Sequence, residues 1–144
     1  MTTSQKPPLT LSLVWEGDLR FTGTSGHTSM VLDSPGRAGP SPMQALAFGL
    51  AGCMAMDLVS ILAKGRHPVE ALEATLAGRR ADGQPARFVA VELRYTITGD
   101  VPPAAIERAI ALSREKYCSV WHSMRQDIDF TITYETRAAA RVEG

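Results

Sequence analysis

Ser41-Pro-Met-Gln-Ala-Leu-Ala-Phe-Gly-Leu-Ala-Gly-Cys-Met-Ala-Met-Asp57-Leu-Val-Ser-Ile-Leu-Ala-Lys64 is the stretch that decides the fold. Serine followed by proline is helix-start chemistry, with Ser41 as N-cap and Pro42 at the first helical position. At the other end, Gly65 and then Pro68 stop the helix. Between these signals lie 23 residues, about 35 Å of helix at ~1.5 Å per residue. Apolar residues cover every face until Asp57, so the pattern predicts a helix buried all round. A domain of this size has one sheet to lay against one side. The other side needs a second helix or another copy of the chain.

Residues 9–15 alternate apolar and polar at strand period. Glu16-Gly-Asp18 is turn chemistry, and residues 19–23 and 27–32 add two strands over short connections, as in an antiparallel meander. Residues 34–40 form a loop dense in Gly and Pro. Beyond the long helix, residues 69–80 and 88–98 read as strands with Asp82-Gly-Gln-Pro85 as the turn. Pro102-Pro103 opens a second helix carrying Ile106, Ala109, Ile110 and Ser113 at three- and four-residue spacing and ending near Cys118. A helical turn or two over 119–126 and a last strand over 128–134 complete the order β-β-β-α-β-β-α-β. This is α+β, with antiparallel strands packed around a long central helix. The expected organisation is a flexible lead-in over residues 1–8, one domain over 9–137 and a frayed tail over 138–144.

The 144 residues carry 15 basic and 15 acidic side chains, and aromatics make up 6%. Basic runs stop at Arg79-Arg80, so the electrostatic footprint of a nucleic-acid binder is missing. The N-terminus has no basic segment followed by an apolar run, and the apolar stretch over 45–56 is shorter than the ~20 residues that span a bilayer. The expectation is a cytoplasmic protein with neither a membrane nor a nucleic-acid partner, and with no cofactor or bound metal.

Chemistry centres on two cysteines 65 positions apart, Cys53 inside the long helix and Cys118 at the end of the second. Intracellular thiols are kept reduced, so the two are small buried hydrophobes or a redox pair. Cys53 lies too far from its helix start for the macrodipole to favour a thiolate, so reactivity there needs a cation from elsewhere. A third option is metal, since Cys118 with His122 and Cys53 with Asp57 have i, i+4 spacing; no C-x2-C strengthens it.

Four segments resemble the OsmC/Ohr family, the osmotically inducible and organic-hydroperoxide-resistance proteins. They are Trp15-Glu-Gly-Asp18, Ser41-Pro-Met-Gln-Ala-Leu46, Ala51-Gly-Cys-Met-Ala-Met-Asp57-Leu-Val-Ser-Ile-Leu62 and Ala109-Ile-Ala-Leu-Ser-Arg-Glu-Lys-Tyr-Cys-Ser119. The flavour is that of a less characterised OsmC-like branch. The resemblance implies an intertwined homodimer and thiol-dependent reduction of a small-molecule organic hydroperoxide. Cys53 would be the peroxidatic residue and Cys118 the resolving one, re-reduced by a dithiol such as a lipoyl group. Active members have a Glu just after the helix-opening Pro, steadying an Arg that activates the thiolate. Here Met43 and Gln44 stand at those positions and Asp33 falls on the arginine's place, leaving Arg20 and Arg37 as the nearest activating candidates. The alternative is a non-enzymatic dimer of the same fold that binds a small apolar ligand, its thiols inert.

Overall fold

The computed structural model describes residues 5–139, so the ends of the expected lead-in and tail lie outside the described residues. The chain divides into two compact units, one ending at Leu46 and the other beginning at Ala47.

The first unit holds the expected meander, β1 (Ser12–Gly17), β2 (Arg20–Ser25) and β3 (Thr28–Asp33), in the order β1-β2-β3 with both pairings antiparallel. Gly17 at φ 110° and Asp18 at φ 47° make the first turn, where only glycine or a short polar residue is tolerated readily. The loop after β3 is organised by Asp33, a buried carboxylate. It accepts the Ala38 N–H at 2.9 Å and pairs with the Arg20 guanidinium at 3.3 Å. These two groups, the Ala38 amide foremost, hold the Asp33 carboxyl below the usual carboxylate range.

α1 (Pro42–Lys64) has the bounds the sequence predicts. Its start is a reciprocal capping box: Ser41 Oγ accepts the Gln44 N–H at 3.2 Å, and Gln44 Oε1 accepts the Ser41 N–H at 2.9 Å. Its end differs in one detail. The left-handed residue is Arg66 at φ 66°, not Gly65. The His67 amide reaches Leu62 O and the Arg66 amide reaches Ala63 O, the paired bonds of a Schellman ending.

In the second unit, β4 (Ala71–Arg80) pairs antiparallel with β5 (Phe88–Thr98), and β6 (Asp129–Arg137) lies on the other side of β5. β6 runs parallel to β5, which corrects the expectation of antiparallel strands throughout. The reason is the connection. α2 (Pro103–Leu112), a π turn (Ser113–Tyr117) and α3 (Ser119–His122) carry the chain back to the end where β5 began, as a parallel crossover requires. The core is the inward row Val91, Leu93, Tyr95 and Ile97 of β5, joined by Leu50, Met54, Leu58 and Leu62 of α1 and by Ile106 and Ala109 of α2.

Those four α1 residues recur every fourth position and make a single stripe. Burial all round is therefore not achieved within one chain. Phe48 and Met56 are 70% and 73% exposed, and Val59 is exposed too. By length and composition α1 is long and apolar enough to cross a membrane, with a mean hydropathy of 2.0 over 18 residues, contrary to the shorter apolar run expected. Its buried stripe makes it a core helix of the second unit.

Candidate thiol site

Cys53 sits mid-way along α1, half-buried, between the buried Leu50 and Met54 on one side and Asp57 one turn on. Cys118 reaches it by an irregular route. α2 ends at Leu112, and the next turn widens so that the Cys118 amide bonds Ser113 O at 2.8 Å, five residues back. Such π turns inside helices often mark functional positions. Cys118 then leaves helical geometry, at φ −74° and ψ 96°, and its Sγ accepts the Trp121 N–H at 3.4 Å. A thiol thus takes the N-cap place usually held by Ser, Thr, Asp or Asn.

The two thiols are brought together. Cys53 lies close enough to Cys118 to perturb its thiol, and both are unbridged. Cys118 has no exposed surface. Burial pushes its thiol up to about 11; the Trp121 amide offsets part of this, while Cys53 and Asp57 add to it. At neutral pH Cys118 is a protonated thiol, which makes it a slow attacker until a reactive partner sulfur is presented.

Three further residues complete the cluster, and the sequence reading missed them as site residues. Ser113 Oγ donates to Asp57 Oδ2 at 2.8 Å, so one hydrogen bond ties the two cysteine-bearing segments together. Tyr95 is fully buried, with its hydroxyl 3.5 Å from Ala51 O. Burial, then the charges of Cys118, Asp57 and Cys53, push its phenol up. Trp121 packs on Phe130 at 4.5 Å between ring centroids, with the Arg114 guanidinium over both rings. A signal for two of them was in the sequence. Tyr95 is the member of the inward β5 row with a polar tip, and Ser113 is the polar residue in the apolar stripe of α2.

The i, i+4 spacing of Cys118 and His122 does not converge on a metal-ligand set. The His122 Nε2 lies 3.0 Å from Arg114 O, where it braces the π turn. Among the described residues no three His, Cys, Asp or Glu side chains gather as ligands. The expected activating arginines belong to the first unit, where the Arg20 guanidinium engages Asp33.

A family model described as OsmC-like protein matches residues 34–133, well over half of the chain. The chain is 39% identical over 128 residues to Protein YhfA of Escherichia coli, covering 87% of this chain and 96% of that protein. A hypothetical protein from Aquifex aeolicus superposes with a TM-score of 0.86 at 25% identity, covering 94% of this chain and all of that one. An organic hydroperoxide resistance protein OsmC from Legionella pneumophila superposes at 0.68 with 16% identity, over 91% of this chain and 98% of its own. At that identity the likeness is one of fold. The matched segment, the YhfA relative and the shared architecture agree that this chain belongs to the OsmC-like protein family.

Proposed function

We propose that the protein reduces organic hydroperoxides with Cys53 and Cys118 as its redox pair. The observation that carries this is the meeting of the two thiols, one half-exposed and one fully buried, from segments far apart in the chain. In the first step the Cys53 thiolate attacks the outer peroxide oxygen. The O–O bond breaks, the alcohol leaves with a proton, and Cys53 becomes a sulfenic acid. In the second step the Cys118 sulfur attacks Cys53, water leaves, and a disulfide forms. A small dithiol then reduces the disulfide and is itself oxidised, so the sum is hydroperoxide plus dithiol giving alcohol, water and oxidised dithiol.

The division of labour follows burial. The half-exposed Cys53 is open to substrate, whereas Cys118 is shielded from direct peroxide oxidation and kept for the resolving step. Asp57 and Ser113 act through position, fixing the π turn against α1 so that the sulfurs stay within reach of each other. With a dithiol reductant present, Cys53→Ser should abolish turnover. Cys118→Ser should still consume one equivalent of hydroperoxide and leave a trappable sulfenate. Absence of turnover by the native protein above the reductant-only background would leave the non-enzymatic alternative standing.

The working form in this proposal is a cytoplasmic homodimer, with residues 9–137 acting as one domain. Support comes from α1. Its exposed Phe48, Met56 and Val59 form an apolar face that a second copy would cover, and exposed patches of this kind mark association surfaces. A dimer built on it should bury well over about 2,000 Å². Sedimentation should give twice the chain mass at micromolar concentration; a stable monomer there would reject the dimer.

A further inference from the structure

On the far side of Asp57 from Cys53 along α1, the end of that helix and α2 enclose a cleft of about 620 Å³ that the thiol chemistry does not use. Two cations from different helices line it, Lys64 at the end of α1 and Arg108 in the middle of α2. Neither takes part in an ion pair among the described residues. Neither has an acidic residue three or four positions away: Ser60, Ile61, His67 and Pro68 flank Lys64, while Ala104, Ala105, Ala111 and Leu112 flank Arg108. Lys64 complements the helix dipole, which accounts for one charge. Arg108 has no such local explanation, and an unpaired cation facing a concavity is ready for an anion.

The rest of the lining fits the same class of ligand. His67 and Tyr117 add polar groups, and Ile61 and Leu112 supply an apolar wall. Asp57, the acid in the lining, is held by Ser113 and keeps negative headgroups at the Lys64–Arg108 end. We infer that this cleft binds a small organic anion, a carboxylate or phosphate headgroup carried on a short apolar body. The inference does not depend on any redox role for the cysteines. Lys64 and Arg108 grip the headgroup with charge-assisted hydrogen bonds, and the body lies along Ile61 and Leu112.

Calorimetric titration of the full chain with octanoate, octyl phosphate and uncharged octanol tests this. At least one anion should bind, with octanol at least about tenfold weaker, the cost of losing one charged hydrogen bond. The tighter of the two anions identifies the headgroup class. Lys64→Gln and Arg108→Gln should each weaken that binding about tenfold, while Arg79→Gln on β4 should leave it unchanged. Both target residues are exposed, so the substitutions leave the core untouched. Absence of binding by both anions at millimolar concentration, octanol binding as tightly, or undiminished binding by the doubly substituted protein would each overturn the inference.

Discussion

The two cysteine-bearing segments solve opposite problems. α1 presents Cys53 from an unbroken helix whose start and end are written in neighbouring residues, and it leaves that thiol half-exposed. The segment from α2 through the π turn to α3 presents Cys118 from a helix that is deliberately irregular, and buries the thiol completely. The difference shows what sets a thiol's character here. Regular backbone gives Cys53 access, whereas one widened turn withdraws Cys118 from water and pushes it up to about 11. The hydrogen bond from Ser113 to Asp57 joins the two solutions.

The contrast breaks most visibly if Cys118 behaves like a free thiol. A free cysteine reaches its full alkylation rate soon above its ordinary pKa of about 8.5. In a Cys53→Ser background, which removes a lesser upward cause and keeps burial, the rate at Cys118 should still climb through pH 10 and level only well above the free value. The linkage runs the same way. A raised thiol favours the native state below the unfolded value and loses that contribution as pH rises toward 11, so unfolding should become easier in that window. A rate profile that levels near 8.5 would show that the π turn does not isolate Cys118.

A smaller effect sharpens the comparison. Ser113→Ala leaves the Asp57 carboxylate without its donor and unties the π turn from α1. Denaturant unfolding should show a loss of about 1–3 kcal/mol. A loss within about 0.3 kcal/mol would make the bond incidental and leave the meeting of the two segments to packing alone.

What was legible in the sequence follows the same division. The bounds of α1 and β5 were readable because caps, breakers and two-residue alternation are local signals, spelled by Ser41, Pro42 and the Val91-to-Ile97 row. The pairing of β6 was not, because a strand alternates identically whether its neighbour runs parallel or antiparallel; only the crossover decides. The π turn was also hidden. One extra residue in a turn leaves the spacing of Ile106, Ala109, Ile110 and Ser113 untouched, so the pattern carries the helix straight to Cys118. At the site, the two cysteines and their flanks were readable, while Tyr95 and Ser113 passed as core residues. Their polar atoms meet Ala51 and Asp57 only across 44 and 56 positions of chain, a distance no local pattern reports.

The pairing of Cys53 with Cys118 is tested most directly by the mass of the intact protein after one equivalent of cumene hydroperoxide, read under non-reducing, denaturing conditions. The expected product is two hydrogen atoms lighter than the starting chain, with Cys53 and Cys118 joined in one cross-linked peptide. Two unmodified thiols, or a Cys53 carried on to sulfinic acid while Cys118 stays free, would contradict a redox pair.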